Sequence, residues 1–207
     1  MLPAVIAAAS AAIATLCSAP VSAAGTWTSG GQTEVERGCY RSGSTLRDCD
    51  RAALLAIDAA RAAEGLQRLL LPADFERMTV ADQTVLVTNA ERTSRGLPPW
   101  SPDEGLSHLA QQGVIAGSDP DGPAGTTWAS NIASGVMTVL EADYEWMYND
   151  GPGGPNIDCS SDGAPGCWEH RDNILSPWPG TVGAASQQIG NQRFVLGEVM
   201  VASNQPN

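Results

Sequence analysis

Imidazoles are scarce in this 207-residue chain: His108 and His170 are its two histidines, beside five cysteines at 17, 39, 49, 159 and 167. The stretch Gly166-Cys167-Trp168-Glu169-His170-Arg171-Asp172-Asn173-Ile174-Leu175 gathers one histidine, one cysteine and one of six tryptophans. An imidazole can act as base, acid or ligand near neutral pH, so His170 is the first side chain to question. A nucleophilic site would need a hydroxyl or thiol within hydrogen-bond reach of it and a carboxylate to orient it. Ser130 supplies a hydroxyl, and Asp150 or Glu145 a carboxylate. The competing reading is structural, with the imidazole donating to a backbone carbonyl and holding the turn into Asn173-Ile174-Leu175.

Other chemistries lack their parts. The sequence has no His-x-x-x-His, no Cys-x-x-Cys, no phosphate-binding Gly-x-x-x-x-Gly-Lys loop and no Gly-x-Ser-x-Gly elbow, which argues against zinc protease, dithiol redox, nucleotide and α/β-hydrolase readings. A catalytic zinc would have to recruit both histidines and a carboxylate. His108 follows Leu106 on a helix whose apolar residues are Leu106, Leu109, Ala110 and Gly113; at about 100° per residue it points the other way, toward solvent and Glu104. No metal and no cofactor is therefore expected.

The elements that must place His170 are read from caps and periodicity. Residues 46–64 are rich in Ala, Leu and Arg and stop at Gly65, predicting a helix with Leu54 and Ile57 on its apolar side. Thr79, with Asp82 in the first turn, opens a second helix whose face carries Gln83, Leu86, Val87 and Ala90 and which ends at Gly96-Leu97-Pro98-Pro99. Ser101-Pro102-Asp103-Glu104 predicts a third, capped by Ser101 with Glu104 closing a capping box. Thr138 and Glu141 repeat that spacing for a fourth, through Trp146 and Met147. Residues 181–186 and 193–201 read as strands joined at Gly190-Asn191. Helices first and strands late indicate an α+β fold with helices packed on an antiparallel sheet.

Residues 1–24 are uncharged, apolar and end in Val21-Ser22-Ala23-Ala24, as a cleaved secretion signal does; the apolar run is too short for a membrane span. Cys17 would leave with it. Cys39, Cys49, Cys159 and Cys167 then remain, an even number suited to disulfides in an exported chain. Three pairings are open, and proximity favours Cys39–Cys49 with Cys159–Cys167. Residues 25–44, rich in Gly, Ser and Thr, read as an extended lead-in, with Trp27 and Tyr40 as docking points. The formal charge is −12 and all eleven basic residues are arginine, a balance that disfavours nucleic acid and anionic membranes as partners.

Four runs in order carry a resemblance: Thr88-Asn89-Ala90-Glu91-Arg92-Thr93-Ser94-Arg95-Gly96-Leu97-Pro98-Pro99, Ala129-Ser130-Asn131-Ile132-Ala133, Tyr144-Glu145-Trp146-Met147-Tyr148, and His170-Arg171-Asp172-Asn173-Ile174-Leu175. Together they resemble the bacterial branch of the CAP superfamily, the SCP-like domain of cysteine-rich secretory proteins, antigen 5 and pathogenesis-related-1 proteins. The resemblance covers roughly residues 75–205 and implies a secreted, disulfide-bonded α-β-α sandwich; with the readings above, the chain divides into a signal (1–24), an N-terminal extension (25–74) with one helix and the favoured Cys39–Cys49 disulfide, and this domain (75–207). It also implies a cleft with two histidines and two glutamates able to hold a divalent metal. Here His170 keeps one of those positions, while Ser130 and Asn149 stand where the glutamates are expected and Gly117 where the other histidine is. Too few basic ligands remain for tight metal binding. What the resemblance leaves is a pocket lined by Ser130, Asn131, Trp146, Asp150 and His170 in a secreted binding protein. Its partners would be a small apolar ligand, a cell-envelope component or another protein; a His170-dependent hydrolase of peptide or cell-wall bonds is the alternative.

Overall fold

The structure, a computed structural model, describes residues 30–203; the expected signal at 1–24 and Trp27 lie outside them. Six helices, four strands and a short 3-10 turn, Phe75–Arg77, make up those residues. The helices are α1 (Gly30–Cys39), α2 (Leu46–Ala63), α3 (Val80–Ser94), α4 (Glu104–Ala116), α5 (Val139–Tyr148) and α6 (Glu169–Ile174). The strands are β1 (Ser101–Pro102), β2 (Trp128–Val136), β3 (Gly180–Gly190) and β4 (Arg193–Ala202), in the order β1-β3-β4-β2. The sheet is antiparallel except for the two-residue β1, which runs parallel to β3.

Side-chain alternation along the strands gives the sheet two covered faces. On one, Leu106, Ala110 and Val114 of α4 pack on Ala185, Val195 and Val199. Gly183 lets this helix sit close, because a Cβ there would overlap the backbone of Leu106 and Ser107. On the other face lies the larger core, which joins Leu196 and Ala133 to Val87 of α3, Leu140 and Met147 of α5, and Ile57 of α2. The α-β-α layering is thus present.

The helix starts at Thr79 and Thr138 are as expected: their hydroxyls accept from the amides of Asp82 and Glu141. Thr45 and Asp48 form a capping box at α2. Other expectations need correction. Helix α4 is capped by Asp103, whose carboxylate accepts from Leu106 N, while Ser101 and Pro102 are drawn into β1. Pairing of these two residues with Thr181 and Val182 outweighs the local capping-box pattern.

Of the face expected for α3, Val87 is buried and Leu86 and Ala90 are partly buried, but the buried stripe also takes in Thr84, Thr88, Glu91 and Arg92, which the sequence did not single out for it. The lead-in is not extended, since α1 begins at Gly30 and packs on α2. The segment before residue 75 therefore holds two helices. Nor does the core divide at 74/75, because Val35, Ala53 and Ile57 belong to the same cluster as Leu140 and Leu196. Disulfides join Cys39 to Cys49 and Cys159 to Cys167. Among the described residues no helix is long and apolar enough to cross a membrane.

Candidate functional site

His170 is the second residue of α6, a six-residue helix that could not persist alone. Four sets of contacts hold this helix. Asp150, fully buried, accepts from the backbone amides of His170 (2.9 Å) and Arg171 (3.4 Å), so its carboxylate serves as the N-terminal cap that Trp168, at φ 67°, does not provide. Arg171 donates to the Met147 carbonyl (2.6 Å) and pairs with Glu64, the residue that caps the end of α2 (2.7 Å). Arg92 of α3 donates to the carbonyls of Ile174 (2.6 Å) and Ser176 (2.8 Å) at the other end. Asn173 donates to the Ser130 carbonyl and to Asn131 Oδ1, both at 3.0 Å.

Behind these contacts lies a buried ionic cluster. Glu91 accepts from Arg61 (2.6 Å), from Arg95 and from the Tyr148 hydroxyl (2.8 Å), and Arg95 also pairs with Glu64. This cluster ties α2, α3 and α5 together, and through Glu64 it reaches Arg171 on α6. The polar stripe on α3 thus has a purpose that periodicity could not reveal: Glu91 anchors the cluster and Arg92 holds α6.

The His170 side chain is 19% exposed, and its Nδ1 lies 2.6 Å from Asp150 Oδ1. That oxygen also accepts from Asn156 Nδ2 at 2.7 Å. With Nδ1 donating to the carboxylate, Nε2 remains for a ligand. Burial alone would lower the imidazole pKa; the hydrogen bond and charge of Asp150, with Asp119 and Glu169 farther off, outweigh it and raise it above the ordinary value. Asp119 is itself shifted upward, first by burial.

Two depressions meet at this ring. One, of about 290 Å³, has Trp146, Ile132 and Ile157 on its sides; the other, of about 360 Å³, runs past Ser130 and Trp128. They share Asp119, Asn156, Asp158 and His170, which makes one acid-lined trough about the imidazole. Its wall is the outer edge of β2, the last strand of the sheet. There the Ser130 carbonyl is occupied by the Asn173 amide and the Ile132 carbonyl by the Trp146 indole N–H at 3.1 Å.

The residues singled out from sequence fall into three groups. Asp150 and His170 meet directly, Trp146 lines the trough and Ser130 lines its second half. Asn131 does not line it: its fully buried side chain sits behind the wall, donating to Glu198 Oε1 (2.9 Å) and to the His170 carbonyl (3.2 Å). Glu145 borders the trough, yet its carboxylate accepts from the Tyr40 hydroxyl at 3.1 Å rather than orienting His170. Among the described residues no serine, threonine or cysteine side chain is hydrogen-bonded to the imidazole. The competing idea, an imidazole bonded to a backbone carbonyl, is replaced by the bond to Asp150.

Asp119, Asn156 and Asp158 were missed because they come from loops whose Gly, Pro and Ser content spoke only of turns. Glu198 was missed as well. It is buried in β4, accepts from Thr88 Oγ1 at 2.8 Å, and burial pushes its pKa up to about 7. His108 is exposed on α4. The one grouping of three potential ligand residues among the described residues is Cys39, Cys49 and Glu141; its two sulfurs are already bonded to each other.

Comparison with known protein families finds no match, and no curated protein matches the sequence. Among solved structures the chain is similar to a cysteine-rich secretory protein from Staphylococcus aureus subsp. aureus Mu50, at 17% identity and a TM-score of 0.43. That likeness covers 59% of this chain and 38% of the other, so the match spans less than half of that protein's length.

Proposed function

We propose that the protein is an exported, disulfide-braced protein of the CAP type whose trough around His170 binds an extended, polar cell-envelope component or protein segment without catalysing a reaction on it. The observation that carries this reading is the composition of the trough. An imidazole fixed by a buried carboxylate faces Asp119 and Asp158 across a long depression, and among the described residues no nucleophilic side chain is bonded to it. Such a lining recognises hydrogen-bond donors and positive charge, and it disfavours a purely apolar occupant. The two disulfides, the signal-like residues 1–24 and the four motif runs support export and the CAP assignment. The missing carboxylate at Ser130 and imidazole at Gly117 support a cleft that does not depend on a metal.

The hydrolase alternative keeps one observation in its favour, since an Asp–His pair at 2.6 Å could activate a water. One experiment separates the two. Purified protein is mixed with peptidoglycan fragments and with cationic peptides, and tryptophan fluorescence and product release are followed together. Binding predicts a saturable fluorescence change that His170→Ala weakens, without release of product. Turnover abolished by His170→Ala in a folded protein would overturn the binding reading.

A further inference from the structure

A second cavity is distinct from the trough. It lies between α1 and α5, has a volume of about 530 Å³, and is separated from the trough by Glu145 and Pro155, which border both. We propose that this cavity is a second binding site, for a small organic cation: an ammonium group carried on an aromatic or aliphatic body.

Size, lining and charge each contribute. The volume is that of a small-ligand pocket. Val35, Pro155 and the rings of Tyr40 and Tyr144 offer apolar and aromatic surface, and the ionisable side chains besides the tyrosines are Glu36 and Glu145. An ammonium gains from both features at once, since it is attracted to aromatic faces and to carboxylates. A carboxylate ligand would meet two acids and no cation in the lining. Arg193 stacks on Tyr40 with its guanidinium 4.6 Å from the ring centre, and it is spent on the carbonyls of Gly135 and Cys39.

Glu145 adds a signature. Burial first, then the charge of Glu141 one turn away on α5, push its pKa up to about 8, against the hydrogen bond from Tyr40 and the more distant charges of His170 on α6 and Arg193 on β4. The group is therefore mostly neutral at pH 7. An ammonium beside it favours the carboxylate, so binding at pH 7 expels a proton, and affinity rises as pH climbs toward 8.

The test uses benzylamine as probe, with benzyl alcohol and benzoate as neutral and anionic counterparts, by titration calorimetry on the purified protein in buffers of low and high ionisation heat. Saturable binding of benzylamine is expected, at least about tenfold tighter than either counterpart, with close to one proton released at pH 7. Glu145→Gln can still accept from Tyr40, so it should fold, lose the proton release and weaken binding. Glu36→Gln should weaken binding as well, and because Glu36 borders this cavity and not the trough, its effect places the ligand. Equal affinity for benzyl alcohol, no binding, or benzylamine binding untouched by Glu36→Gln would each overturn the proposal. None of those results bears on whether the trough binds its own ligand.

Discussion

Replacing Glu198 by glutamine isolates the cost of a buried carboxylate beneath the trough. The folded protein holds the Glu198 proton more tightly than the unfolded chain, with a pKa of about 7 against an ordinary 4.5. Its contribution to stability is therefore fully present below pH 4.5 and is lost as pH rises through about 7. At about 1.4 kcal/mol per unit the complete loss is on the order of 3 kcal/mol, of which roughly 2 kcal/mol falls between pH 5 and pH 8. Glutamine keeps the packing. Its carbonyl accepts from Asn131 Nδ2 as Oε1 does now, and its amide donates to Thr88 once that hydroxyl rotates to accept. Urea unfolding of both proteins at pH 5 and pH 8 should show wild type losing roughly 2 kcal/mol more than Glu198→Gln across that range. Parallel losses in the two proteins would refute the reasoning, because they would mean that the carboxylate ionises in place without penalty. The outcome matters for the site, since Asn131 bridges Glu198 to the His170 carbonyl.

Three further outcomes are expected. In Asp150→Asn the His170 pKa should fall below its wild-type value, because burial would then be opposed only by the more distant Asp119 and Glu169; NMR titration of the imidazoles reads this directly, and a lower urea midpoint, worth about 2 kcal/mol, should accompany it. Serine at both Cys159 and Cys167 should cost about 2–3 kcal/mol through the freed loop, measured by urea unfolding and against a wild type unfolded with its disulfides intact. Gly183→Val should force α4 off the sheet, costing about 1–3 kcal/mol, whereas valine at exposed Ser107-neighbour His108 should be close to neutral.

Legibility in the sequence followed the range of the interaction concerned. Thr79 and Thr138 act on amides three residues away, and the hairpin at Gly190-Asn191 joins adjacent strands, so local chemistry revealed them. Strand β2 escaped notice because Ala129, Ser130, Asn131 and Gly135 have little strand preference; the strand exists through pairing with β4, about 67 residues onward where Asn131 meets Glu198. Helix α1 begins at Gly30-Gly31, which read as linker, and is fixed by packing on α2. His170 and Asp150 could be named as candidates, but that Asp150 caps the helix bearing His170 depends on a fold-back of twenty residues. The acids across the trough depend on loop paths that composition does not encode.

The occupied carbonyls on the outer edge of β2 bear on how any partner can attach. A bare edge strand is an open template that a foreign chain can extend by backbone pairing. Here the Trp146 indole and the Asn173 amide take the acceptors at Ile132 and Ser130, and the opposite edge is the two-residue β1 with Pro102. Strand addition is thereby obstructed at both margins of the sheet, which lowers the hazard of self-association into fibrils. If the trough binds as proposed, its partner would be selected by side-chain chemistry, and single substitutions in the trough should retune the choice of ligand without rebuilding the fold.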